Sequence, residues 1–155
     1  MTCHGVRSRG RRGSTLVEFA LVVLLLVLVL LSTVEFERML FVSTTLANAA
    51  RAGLRYAASH GSLRGTGSGV NGSSGPGSTD AVVTVVQNFA SAGILDVSKL
   101  NIQVSYANSP PTCSTSNGPG CQVTVQVTYP YDPFVGWLTQ LKVNLGSTSS
   151  GVITY

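Results

Sequence analysis

Residues that could perform chemistry are few in this chain, and they form no known catalytic pattern. The two histidines, His4 and His60, lie far apart. Outside the N-terminal third the acidic residues are Asp80, Asp96 and Asp132, which are also widely separated. No serine has the Gly-x-Ser-x-Gly context of a nucleophile elbow. The sequence therefore predicts a protein that is not an enzyme, with no catalytic residue, no metal and no cofactor.

One apparent nucleotide-binding motif arises from composition. The letters GSGVNG match Gly-x-Gly-x-x-Gly, but they lie inside a Gly/Ser-rich stretch, residues 61–79. The motif needs a strand before it and a helix after it, whereas this composition is typical of a flexible linker. We therefore assign no dinucleotide to it.

Two cysteines, Cys113 and Cys121, flank a loop rich in Pro, Gly and Ser. Zinc is one interpretation, but two thiols without a nearby histidine or second thiol pair make a poor site. A disulfide is favoured, and it fits an exported location.

A long apolar run, Leu16 to Val34, has about the length needed to cross a bilayer. The arginines before this run carry a total charge equal to the net charge of the whole chain, +4. Positive charge directly before an apolar run predicts a cytoplasmic N-terminus. The sequence has no further basic patch, so we expect no nucleic-acid partner. The single charge in the run is Glu18, which marks a functional residue unless its carboxylate only snorkels to the interface.

The order of residues around Glu18 resembles the processing site of type IV prepilins. Basic residues end at Gly13, Glu18 is the fifth residue after it, and Phe19 follows. The resemblance implies that a prepilin peptidase cuts between Gly13 and Ser14. The new amino group could then pair with Glu18 of a neighbouring subunit, which would offset the desolvation of both charges.

Further motifs resemble the TadE-like proteins, pseudopilins of tight-adherence (Flp-type) pilus systems. The similarity is strong over residues 11–58 and loose from residue 121 onward, where VTVQVTYPYDPF suggests a strand ending in an aromatic-proline turn. The motifs are Arg12-Gly13, Val17-Glu18-Phe19-Ala20, Val34-Glu35-Phe36-x-Arg38 and Asn48-Ala49-Ala50-Arg51-x-Gly53-x-Arg55-Tyr56-Ala57. The chain departs from the family in lacking a proline inside the span and in having Glu37 where a small residue is common.

The family implies partners and a location. The partners are the prepilin peptidase, other pilin or pseudopilin subunits, the inner-membrane assembly platform and the lipid bilayer. The location is the inner membrane, crossed once, with the C-terminal domain outside, and incorporation into a surface pilus follows if the subunit enters the fibre.

Hydrophobic spacing predicts an α+β protein with four parts. A basic leader, 1–13, precedes one helix, 14–60, which starts in lipid and extends out of it. After the linker, 61–79, a pilin-like α+β domain, 80–155, has one helix covering an antiparallel sheet of three to four strands. The second helix begins with Thr79 or Asp80 as its cap and stops at Gly93.

Periodicity on the long helix leaves several roles open. Glu37, Thr44, Asn48, Arg51 and Arg55 form one polar stripe. On the opposite face, Glu35 suggests either a contact between helices or pairing with Arg38 at i+3. Three small residues follow at spacing four: Ala49, Gly53 and Ala57. They permit either the close approach of another helix or packing on the chain's own sheet. The aromatic segment YPYDPFVGW either closes the core or forms a contact surface.

The leading hypothesis for function is a processed, membrane-anchored minor pilin-like subunit that assists assembly of an adhesive pilus. An alternative is an unprocessed signal-anchored surface protein whose exported domain binds a ligand or envelope component. A secreted protein cut within TLANA, near Ala47 and Ala49, is disfavoured because cleavage sites follow the apolar run closely.

Overall fold

A computed structural model describes residues 11–61, 79–93, 96–107, 113, 117–134 and 142–154. The predicted leader and the predicted linker lie almost wholly outside these residues and stay predictions. The chain divides into two units, Met1–Glu37 and Arg38–Tyr155.

The first helix, α1, runs from Arg11 to Ser59 and confirms the long predicted helix. Every side chain from Leu16 to Val34 is exposed. The hydroxyls of Ser32 and Thr33 donate to the carbonyls of Leu28 and Val29 at 2.8 and 2.9 Å, so the helix satisfies its own polar side chains here. Among the described residues, one helix is long and apolar enough to cross a membrane, and this is it.

In the second unit, α1 has two contrasting faces that match the predicted periodicity. The polar stripe from Thr44 to Arg55 is exposed. The opposite face is buried and includes Val42, Leu46, Ala49, Gly53 and Ala57. Burial of this face is what holds the helix to the domain, since helical stability in proteins comes mainly from packing.

The second helix, α2, spans Asp80–Ala90 and buries Val82, Val86 and Ala90. Thr79 occupies the cap position, but its side chain makes no capping hydrogen bond. The helical spacing of Val82, Val85, Val86 and Phe89 in the sequence predicts one apolar face. This prediction was partly wrong, because Phe89 is 48% exposed and Ala90 is buried instead. The buried residues recur at spacing four, which places Phe89 at the edge of that face.

Three strands form an antiparallel sheet in the order β1-β2-β3. They are β1 (Asn101–Tyr106), β2 (Gln122–Tyr131) and β3 (Val143–Val152). On β2 the valines point to the core and the Gln and Thr residues point away, as predicted. Two weak C-terminal strand patterns in the sequence, QLKVNLG and GVITY, both contribute residues to one strand, β3, so the described sheet has three strands.

Strand β2 continues through Pro130 to Tyr131, where the sequence predicted a turn. Pairing with β1 ends at Thr128, so Pro130 has a neighbouring strand on one side only, β3. A proline lacks the N–H that a strand paired on both sides needs. Strand β2 tolerates Pro130 because only one neighbouring strand pairs with it at this position.

Two helices rather than one cover the inner face of the sheet. The core combines residues of α1, α2 and all three strands. Next to the end of β3, the backbone N–H of Thr154 donates to the carbonyl of Ala58 at 3.0 Å. No described side chain has a buried polar atom without a partner.

Candidate functional site

The predicted processing and assembly residues lie at the start of α1. Gly13 and Ser14 are in its first turn, and an added Cβ at Gly13 would meet no atom within 4 Å. Ser14 and Glu18 are one turn apart and share a helix face. Glu18 is exposed and Phe19 is 67% exposed. These side chains are thus available to lipid, to a peptidase or to another subunit.

Glu35 and the three small residues have different surroundings. Glu35 is half-buried. Ala49 and Ala57 are fully buried, and Gly53 lies beside the side chains of Val82, Val86 and Val125. The structure therefore places the small residues against α2 and the sheet of this chain, which is the second of the two interpretations of their spacing.

Cys113 and Cys121 form a disulfide with Cα atoms 5.5 Å apart. Both are almost fully buried. A tight turn leads into the bridge: the N–H of Cys121 donates to the carbonyl of Gly118, and Gly120 has a φ of +90°. Pro119 followed by a glycine with positive φ is typical of a type II turn. Both thiols are consumed in this bridge, which agrees with the disulfide interpretation.

His60 has a local role at the end of α1. Its Nδ1 lies 2.9 Å from Ser59 Oγ and 3.0 Å from the carbonyl oxygen of Tyr56. Its ring stacks on the Tyr56 ring at 3.9 Å. Within the described ranges, no three His, Cys, Asp or Glu side chains come together as a metal would require.

The structure does bring together residues that the sequence keeps apart. Lys99 Nζ lies 3.2 Å from an oxygen of Asp132 and 3.8 Å from an oxygen of Asp96. A hydrogen bond to Asp132 raises the pKa of Lys99. The hydroxyl of Ser98 donates to Asp96 and lowers the pKa of that carboxyl.

These three residues line a cleft of about 500 Å³ between α1, the end of α2 and the end of β2. Arg38 and Phe41 of α1 line it as well. The Arg38 guanidinium lies 5.7 Å from the centroid of the Tyr131 ring. Sequence analysis missed this cleft, because no motif connects residues separated by tens of positions.

The chain thus combines an apolar helix long enough to span a membrane with an α+β domain packed on the second half of the same helix. A family model described as TadE-like protein matches residues 13–55. The matched segment is α1 almost in full, and it includes Gly13, Glu18, Ala49 and Gly53 but ends before Ala57. No curated protein and no solved structure matched the chain.

The match confirms the resemblance seen in the sequence. A TadE-like segment implies a pilin-like protein associated with the Tad (tight-adherence) pilus. This family consists of pilus structural and assembly proteins rather than enzymes. The long apolar helix agrees with a membrane anchor for such a component.

Proposed function

We propose that this chain is a minor pilin-like subunit that assists assembly of a tight-adherence (Flp-type) pilus for surface attachment. The observation that carries the proposal is the TadE-like match over residues 13–55, which begins at Gly13. In this role α1 anchors the subunit in the inner membrane, with the arginine-rich leader in the cytoplasm and the Cys113–Cys121 domain outside.

Processing is the first step of the proposed function. A prepilin peptidase cuts between Gly13 and Ser14 and leaves Ser14 as the new N-terminus. Two features support this. The bond lies in the first turn of α1, where helices fray most readily, and nothing packs on Gly13.

Assembly with other pilin or pseudopilin subunits, on the inner-membrane platform, is the second step. The exposed carboxylate of Glu18 stands next to apolar side chains that are themselves exposed. Burying it unpaired between subunits would be unfavourable by several kcal/mol. Pairing with the amino group of Ser14 from a neighbour removes most of that penalty and selects correctly processed subunits. Phe19, next to Glu18, and Glu35, further along the same helix, are assigned to contacts with other subunits.

The test of processing is the mass of the membrane-extracted chain from cells that contain the pilus system. We expect the mature protein to begin at Ser14. Gly13→Val should leave the chain uncut, whereas the matched leader variant Gly10→Val should be cut normally. An intact leader on the wild-type chain would refute the pilin-like proposal.

The test of assembly is Glu18→Ala, with Glu37→Ala as the matched control on the same helix. Glu18→Ala should insert and be cut normally, because it makes the span more apolar. Crosslinking to other subunits should nevertheless fail, since an unpaired amine costs several kcal/mol, which lowers association by orders of magnitude. Glu37→Ala should assemble as wild type. Normal assembly of Glu18→Ala would show that its carboxylate only snorkels.

The cleft around Lys99 favours a second candidate function. Its volume lies in the range of small-molecule sites, as expected for an unprocessed, signal-anchored surface protein that binds a ligand or envelope component. The two candidates differ at the N-terminus, because the second keeps its leader.

A further inference from the structure

The cleft described above carries charges of both signs in equal number. Arg38 and Lys99 are cationic, while Asp96 and Asp132 are anionic. Within the described residues both salt bridges use Lys99. Arg38 supplies the second positive charge of the cleft. The carboxylates keep oxygen atoms that face water, since the Asp132 side chain is 59% exposed.

Aromatic rings form much of the remaining wall. Tyr131 is 4% exposed and lies under the Arg38 guanidinium, while Phe41 is 59% exposed. Tyr129 lines the same cleft. Rings of this kind attract cationic groups through their faces, and tyrosine is enriched where proteins meet the headgroups of a bilayer.

The position of the cleft on the chain limits how far it can be from the membrane. Arg38 follows Val34, the last residue of the apolar run, by four positions. Since a residue spans at most about 3.6 Å, the backbone of Arg38 lies within roughly 15 Å of the point where the chain leaves hydrocarbon. Lipid headgroups are thus the most concentrated small ligands around it.

We propose that this cleft binds the phosphoethanolamine headgroup of a membrane lipid, with Arg38 contacting the phosphate and Asp132 and Asp96 contacting the ammonium group. A purely anionic headgroup fits poorly, because two carboxylates would repel it. A simple cation fits poorly because Arg38 and Lys99 would do the same. A zwitterion matches a cleft with no net charge. The inference rests on the proposed membrane anchoring and not on pilus assembly.

The test uses the full chain in nanodiscs of phosphatidylcholine alone or mixed with equal amounts of phosphatidylethanolamine and phosphatidylglycerol. Native mass spectrometry then counts the lipids that stay bound after release. We expect phosphatidylethanolamine to be enriched at least tenfold over phosphatidylcholine, which corresponds to about 1.4 kcal/mol. Soluble phosphoethanolamine at millimolar concentration should compete with it, which separates headgroup recognition from general contact with acyl chains.

Two variants remove the charges that the proposal uses, and two others serve as controls. Arg38→Gln and Asp132→Asn should each lower the enrichment to the phosphatidylcholine level. Arg55→Gln and Asp80→Asn, on exposed residues that do not line the cleft, should leave it unchanged. An unaltered Tm verifies that each variant is folded.

Enrichment of phosphatidylglycerol instead, or no enrichment of any headgroup, would overturn the proposal. Equal amounts of phosphatidylethanolamine bound to wild type and to Arg38→Gln would also overturn it. The same spectra report whether the chain begins at Ser14, so failure of the lipid site and failure of processing can be told apart.

Discussion

At Gly53 the lack of a side chain allows α1 to lie against α2 and the sheet at once. A Cβ added there would overlap Cγ2 of Val86, and it would lie 3.5 Å from side-chain carbons of Val82 and Val125. The glycine is thus a packing requirement of the C-terminal domain. The family motif around it, from Asn48 to Ala57, has a structural reason in this chain.

We expect Gly53→Ala to destabilise the domain by about 1–3 kcal/mol, because overpacking forces neighbours to shift. Thermal unfolding of the full chain in detergent, followed by near-ultraviolet circular dichroism, measures the change. Combining it with Val86→Ala should recover part of the loss, since that substitution removes the overlapping methyl groups. A Gly53→Ala chain as stable as wild type would show that α2 is not held where the structure places it.

Asp96 allows a test of the electrostatics of the cleft. Its folded pKa lies below the ordinary value of 3.8, chiefly because the Ser98 hydroxyl donates to it. A lowered carboxyl pKa adds stability that is present above pH 3.8 and is lost as pH falls through the folded pKa. This contribution should therefore be constant at neutral pH and disappear in acid.

Ser98→Ala should move the pKa of Asp96 back toward 3.8, as measured by a nuclear magnetic resonance titration of its carboxyl carbon. Ser105→Ala, an exposed serine on the outer face of β1, is the matched control. An unchanged Asp96 pKa in Ser98→Ala would assign the lowering to Lys99 instead.

At the scale of secondary-structure elements, the second half of α1 acts as part of the domain and not as a bare stalk. One face of this helix is buried and the other is exposed. The buried face uses small residues, which let the helix axis come close to the sheet. The exposed face is left for solvent or for other subunits.

We expect the two faces to respond oppositely to the same substitution. Ala57→Asp places an unpaired charge at a position with no exposure, so it should destabilise the domain by several kcal/mol. Arg55→Asp, on the exposed stripe, should change stability by no more than about 0.5 kcal/mol. Urea unfolding of the detergent-solubilised chain measures both. Equal effects would contradict the orientation of α1.

At the scale of the whole molecule, the number of reactive thiols depends on both processing and export. The chain contains three cysteines. Cys113 and Cys121 form the disulfide, and the third, Cys3, lies in the predicted leader. Cleavage after Gly13 therefore removes the one thiol that does not belong to the bridge.

We expect the mature protein to show no reactive thiol before reduction and two after it, whereas uncut Gly13→Val should show one and three. Denaturation, alkylation and intact mass give these counts. A reporter fused after Tyr155 should be active only in the form that folds outside the cytoplasm. Two free thiols in the freshly extracted mature chain would refute both the bridge and the topology.

Local patterns in the sequence predicted both helices and the strand β2, together with the buried side of α1 and of β2. The apolar run, the two faces of α1 and the alternation on β2 were all readable, because each depends on periodicity within one segment. Gly13 and Glu18 were singled out by their spacing along a single helix, and their roles in processing and assembly stay predictions. The family match over residues 13–55 covers the apolar run and most of α1, but not β2.

Tertiary structure alone decided which segments meet. No periodicity indicates that Lys99 reaches Asp132, that Gly53 faces Val86, or that Pro130 falls beyond the end of β1. The two weak C-terminal patterns also became one strand, because pairing with the long β2 continues through GSTSSG. Such contacts depend on how distant segments pack, and packing is a property of the whole fold rather than of any one stretch.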